Sequence, residues 1–250
     1  MSSSLSRIIT LTKRNVKEIL RDPLSLVFTI GLPLFMELMF YLIFHKLTSQ
    51  FEMKYLAPGI VVFSQSFLAL FTGLLIALDR SSSFLTRLYV SKVKSYEFII
   101  SYALAIIPIT ITQSILFFLV GGIFDTSIFC LGMVLAILLS VVTSLLFISF
   151  GILFGCLCNE KSIGGVSSII IMGQSVLSGM WFPLEGMSEG VITMMNILPF
   201  RNASMVIQKL IVGIDDAFKD FLLPLIIVLS YTIVVFTFAI VVFKNKMKSK

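Results

Sequence analysis

The chain has 250 residues, 58% of them hydrophobic and 13% charged, with a formal net charge of +6 and a mean hydropathy of +1.05. A soluble domain carries about one quarter charged residues, so too little polar surface is present here to clothe a water-soluble globule. Most of the chain is therefore solvated by lipid, and its basic excess fits topology and anionic lipid without calling for nucleic acid.

The predicted elements follow in chain order. Residues 5–21 place Leu5, Ile8, Ile9, Leu11, Thr12, Val16, Ile19 and Leu20 largely on one side of a helix and the bases on the other, the pattern of an amphipathic helix lying in a membrane interface. Asp22-Pro23 then reads as an N-cap and first helical residue. A helical span needs about 20 apolar residues, and six candidates are present: 23–44, 57–78, 97–120, 127–155, 163–180 and 222–243. The runs are continuous and about twice the length of a barrel strand, so the fold class is an all-α polytopic membrane protein. The first run is too long for the apolar core of a signal peptide and is expected to be retained. Ala57-Pro58 and Asp220 with Pro224 resemble helix entries, and Pro33 and Pro108 predict kinks inside spans. Gly151 and Gly155 form a small-xxx-small pair suited to close helix packing.

Lys and Arg counts set the orientation. With six spans, the arm 1–22, the segment 79–96, the 156–162 turn and the tail hold 14 of these residues, against 5 on the other side. Both termini are therefore expected in the cytoplasm. The outer connection, 181–219, is long for a structureless loop. It opens on Trp181, Phe182 and Pro183, aromatic residues suited to a membrane interface. Two apolar pieces follow, 191–200 and 203–213, broken near Pro199 and Arg201 and each too short to span, which reads as a re-entrant segment.

Enzymatic motifs are missing from the sequence. No P-loop pattern occurs, and Gly173-Gln174-Ser175-Val176 lacks the spacing of a nucleophile elbow. His45 is the one histidine, and Cys130, Cys156 and Cys158 are too few for a convincing metal site; Cys130 is expected within a span. Glu37 is the carboxylate deep in a span, and such groups face a bundle interior or wet cavity. It is a possible translocation-path residue with Gln113 and Gln174, or a structural group hydrogen-bonded to one of them. Gln65, Gln113 and Gln174 suit interhelical hydrogen bonds.

The segment 79–98, DRSSSFLTRLYVSKVKSYEF, is basic yet half apolar. On a helix, Phe84, Leu85, Leu88 and Tyr89 form one stripe, which can lie on lipid or be gripped by a soluble partner. Asp79, Arg80, Leu85, Arg87, Leu88, Val90, Ser91, Val93 and Glu97 resemble the segment after the second span in permeases of the type-2 ATP-binding-cassette exporter family. Ser81, Ser82 and Lys92 stand where that family carries acidic residues and a proline. LSGMWFPLEGM, 177–187, with Leu198-Pro199-Phe200, is similar to the family's outer segment. The resemblance implies two permease copies around a pathway and a separate cytoplasmic ATPase that binds ATP and Mg. This chain would need no cofactor of its own. Phe84, Leu85, Arg87, Leu88 and Tyr89 would couple the ATPase to the bundle. The expected function is export of a drug, antimicrobial peptide or lipid-like amphiphile across a bacterial cell membrane. Export of lipid-linked polysaccharide or teichoic acid is the close alternative, and a membrane sensor or assembly factor the alternative of another class.

Overall fold

The computed structural model describes residues 4–82, 94–182, 184 and 186–248, and its regular structure there is helical throughout. The helices are α1 (Ser4–Leu20), α2 (Pro23–Phe44), α3 (Met53–Ser81), α4 (Ser95–Phe124), α5 (Leu131–Leu157), α6 (Glu160–Leu177), α7 (Glu189–Ile197), α8 (Pro199–Val212) and α9 (Leu223–Lys248). Asp22 caps α2 as expected, its side chain accepting from the Ser25 N–H at 3.3 Å, with Pro23 in the first turn.

Two helices carry a widened π turn, at Val27–Gly31 within α2 and at Ala217–Leu222 leading into α9. Each precedes a Leu-Pro pair, Leu32-Pro33 and Leu223-Pro224. In each, the leucine N–H reaches five residues back, to Val27 O and to Phe218 O. A proline inside a helix lacks a donor and its ring collides with the carbonyl four residues back. The extra residue in the turn moves that carbonyl aside, which is the local reason for both distortions.

Among the described residues, α2, α3, α4, α5 and Ala217–Asn245 are five stretches long and apolar enough to cross a membrane. The expected span 163–180 emerges as the 18-residue α6, starting at Glu160 and ending at Leu177. Glu160, Lys161, Gln174 and several serines dilute its apolar character. It nonetheless lies along the middle of its neighbour: Ile163 packs at Gly73 of α3, and Met180, just beyond α6, packs at Gly59. That interval is about 21 Å of helix. α1 and the last turns of α9 both reach the start of α4, where Arg7 bonds Glu97 and Phe243 stacks on Phe98 with centroids 5.3 Å apart.

Several helices overrun the apolar runs that announced them. The run 57–78 lies within Met53–Ser81 and 97–120 within Ser95–Phe124, because the hydrogen-bond ladder continues past the hydrocarbon edge. Pro58 is therefore inside α3 instead of at its entry; Glu52 stands there, its carbonyl accepting from the Tyr55 and Leu56 N–H groups at 2.9 Å each. Cys130 is not within a span: it is the exposed residue just before α5.

α3 is the central post and the most buried of the long helices, whereas α2 and α9 expose most of their apolar surface. A helix enclosed on all sides must let its neighbours approach, and in lipid that approach is driven by van der Waals packing and interhelical hydrogen bonds. Gly151 and Gly155 of α5 provide it. A Cβ on Gly151 would stand 2.6 Å from the Ala69 carbonyl oxygen, and one on Gly155 would stand 2.8 Å from that of Gly73. Gln65 supplies the polar tie. Its amide donates to the Ser140 carbonyl at 3.0 Å and its oxygen accepts from Thr143 at 2.9 Å, while Ser114 of α4 donates to Ser140 at 2.9 Å.

Gly151→Ala is expected to destabilise the purified chain by about 1–3 kcal/mol, the usual cost of overpacking. Gly164→Ala, which meets nothing within 4 Å, is expected to be neutral or slightly stabilising. Thermal unfolding in detergent compares the two, and equal midpoints would contradict the backbone contact.

Candidate functional site

The end of the bundle that carries α1 is built around the last turn of α3. Three successive residues there each bond a different set of helices. Asp79 is 3% exposed and sits between α1 and α4. Arg14 of α1 clasps it through two parallel bonds of 2.5 Å, and the Tyr102 hydroxyl of α4 donates to the same carboxylate. Arg80 turns to α5, donating to the carbonyl oxygens of Gly155 (2.7 Å), Cys156 (2.6 Å) and Cys158 (3.1 Å). The last carbonyls of a helix have no partner within it and carry partial negative charge, so a guanidinium is well matched to them. Ser81 donates to Glu160 in the first turn of α6.

Glu97, in the first turn of α4, is fully buried and closes the other side. Arg7 of α1 reaches it at 2.6 and 3.0 Å, Ser4 donates to it, and it accepts from the Lys94 N–H at 3.1 Å. Between these ties α1 packs on α4 through buried Asn15 and Ile19, with Asn15 3.4 Å from the Ser101 hydroxyl. Burial works against the charge on Arg14, but the Asp79 carboxylate outweighs it and raises the guanidinium's proton affinity. The bond to Glu97 does the same for Arg7. Lys13, Lys17 and Arg21 stay on the exposed face of α1.

Asp79, Arg80 and Glu97 are thus fixed, and they flank residues 83–93. Phe84, Leu85, Arg87, Leu88 and Tyr89 lie outside the described residues, as does Pro183 at the far end. The structure adds Arg7, Arg14 and Tyr102 to the residues that the sequence singled out. The signal for the arginines was present: Arg7 and Arg14 are two helical turns apart, and Asp79 and Glu97 are the acids of the 79–98 segment.

Glu37, Gln113 and Gln174 are all fully buried, but no hydrogen bond joins them. Glu37 faces Gly121 of α4, and its carboxylate oxygens have no hydrogen-bond partner among the described residues. Both side-chain atoms of Gln113 are likewise without one, while Gln174 donates to Ser204 of α8 at 2.9 Å. At the opposite end, Trp181 is half-buried against Phe40 (centroids 4.4 Å) and edge-on to Phe63 (5.7 Å), and Phe182 is exposed. The apolar pieces of the outer connection form α7 and α8, broken at Leu198-Pro199; α8 buries Phe200, Ala203, Val206 and Ile207.

Replacing Asp79 by Asn should cost about 3 kcal/mol, the low end for breaking a buried ion pair, because the Arg14 side chain is 30% exposed. The same change should free α1: a cysteine introduced at Asn15 should resist a hydrophilic maleimide in the parent chain and react once Asp79 is replaced. Equal labelling in both backgrounds would show that the pair does not hold α1 in place.

A family model described as ABC-2 type transporter matches residues 6–211, from α1 into α8. No curated protein matches the chain with significant similarity.

Proposed function

Since the chain belongs to the ABC-2 type transporter family and is the permease subunit of an ABC transporter, we propose that it works as an exporter subunit driven by a separate cytoplasmic ATPase. That partner binds ATP and Mg, and this chain contributes no nucleotide site. α2 to α6 and α9 are the six membrane spans. α6 counts among them because it follows α3 from Gly73 to Gly59, and an even number of crossings agrees with α1 and the end of α9 both reaching the first turn of α4, at Glu97 and Phe98. The richer share of Lys and Arg puts that end in the cytoplasm of a bacterial cell, with the outer face of α1 on the anionic leaflet. α7 and α8 are the re-entrant element. A second permease copy completes the pathway, to which Glu37, Gln113 and Gln174 contribute.

One observation carries the mechanism: both flanks of residues 83–93 are anchored in the bundle. Asp79, Arg80 and Ser81 reach α1, α4, α5 and α6, and Glu97 reaches α1 again. Force applied to the stripe of Phe84, Leu85, Leu88 and Tyr89, with Arg87 against an acidic rim, is passed to four helices at once. The ATPase dimer closes on nucleotide, pushes on this segment, and tilts the helices that line the pathway. The cargo is a drug, an antimicrobial peptide or a lipid-like amphiphile; the compact outer connection, with no added domain between α6 and α9, favours these over a lipid-linked polysaccharide.

Affinity purification from native membranes should recover an ATPase subunit with the parent chain. Replacing both Leu85 and Leu88 by Asp should reduce that recovery at least tenfold while the chain remains in the membrane fraction. Undiminished recovery would remove the coupling role from this segment, and ATPase activity of the chain alone would remove the division of labour.

A further inference from the structure

α8 lines a cleft at the end opposite Asp79. A hollow of about 150 Å³ lies between Ser178 and Leu184 on one side and Arg201, Ser204 and Gln208 on the other. It adjoins a second hollow of about 420 Å³, which shares Gly179, Leu184 and Gln208 and reaches Phe182 and Tyr55.

Arg201 is half-buried, yet its side chain bonds the amide oxygen of Asn196 and makes no ion pair among the described residues. Burial lowers its proton affinity. The other cation of the cleft, Lys209, is fully matched, with Asp215 at 3.1 Å and Asp220 at 2.9 Å. Among the described residues, Asp215 and Asp220 are thus spent on Lys209, and a partly desolvated guanidinium is left with a neutral partner, a costly arrangement. The hydroxyls beside it are poised the same way. Ser178 accepts from the Met180 N–H at 3.2 Å and Ser204 accepts from Gln174 at 2.9 Å, so each has its own proton left to donate. Positive charge and surplus donors converge in the smaller hollow, and Phe182 and Leu184 offer apolar surface beside it. This set complements oxygens of an anion joined to an apolar body.

We propose that the cleft binds the phosphate head of an anionic amphiphile, with Arg201 as its counter-charge. The site is remote from the segment 83–93, so it and the coupling mechanism stand or fall separately. The head could come from a lipid of the surrounding leaflet or from a soluble phosphate ester, and the titrants below separate these sources.

Trp181 is the one tryptophan of the chain and stands beside the cleft, next to Phe182. The full chain, purified in dodecyl maltoside, is titrated with dihexanoyl phosphatidylglycerol, with inorganic phosphate, and with octyl glucoside as a neutral amphiphile, reading Trp181 emission. A saturable change is expected with the phosphatidylglycerol and none with octyl glucoside. Arg201→Gln should weaken it at least tenfold, and Lys219→Gln, an exposed base elsewhere in the outer connection, less than twofold. Ser178→Ala, which leaves the Arg201–Asn196 bond intact, should weaken it about threefold and guards against a folding defect in Arg201→Gln. Arg201-dependent saturation by phosphate alone would support the site with a soluble source; saturation by phosphatidylglycerol alone supports a lipid source. No saturable response to either, or curves unchanged in both Arg201→Gln and Ser178→Ala, would overturn the proposal.

Discussion

A carboxylate at the end of an enclosed helix cannot be left without a counter-charge, and the fold is organised around meeting that demand at Asp79. The bidentate clasp by Arg14 draws α1 onto the bundle, and the Tyr102 hydroxyl binds α4 to the same oxygens. Once Asp79 is fixed, Arg80 and Ser81 fall within reach of α5 and α6. Breaking a buried charge pair by removing one partner is far more costly than never having had it. The cluster therefore acts more as a register pin than as a reservoir of stability: it specifies which turn of α3 meets which neighbours.

The remainder of the bundle is held by different means at different depths. Near the charged end and in the middle, α3 and α5 approach backbone to backbone through Gly73, Gly151 and Gly155, with Gln65 bridging to Ser140 and Thr143. Toward the opposite end the contacts become aromatic: Phe40, Phe44, Phe51, Phe63 and Trp181 form one group. This gradient makes the end around Asp79 the stiffer of the two. Flat rings slide over one another with less penalty than interlocked glycines, leaving the far end freer to rearrange.

Much of the fold could be read from the residues because it follows from local rules. Asp22-Pro23 marked a cap, Pro199 marked a break between two short helices, and the Gly151–Gly155 pair marked a close crossing; each depends on chemistry within a few residues. What escaped depends on neighbours in space. Trp181, whose aromatic character suits an interface, turns half inward because Phe40 and Phe63 stand ready to receive it. Pro58 sits inside α3 because Glu52 starts the helix earlier. The dependence of Asp79 and Glu97 on Arg14 and Arg7 involves partners 65 and 90 positions apart, and only charge complementarity hinted at it. Glu37 was recognisable as exceptional, but its separation from Gln113 and Gln174 is a matter of helix rotation that composition does not encode.

The widened turns ahead of Pro33 and Pro224 give the two most lipid-exposed long helices a property the others lack. Each holds one residue more than an ideal coil needs. In α2, passing that surplus one step toward the start of the helix would rotate the residues it passes by about 100° and shift them by about 1.5 Å, while the ladder above and below stays closed. α2 thus carries a built-in slip joint, placed where few interlocking contacts resist it, whereas the wide turn of α9 lies at the helix entry. One of the two helices least gripped by its own chain is thus also one that could re-aim a side chain toward a neighbour without unwinding.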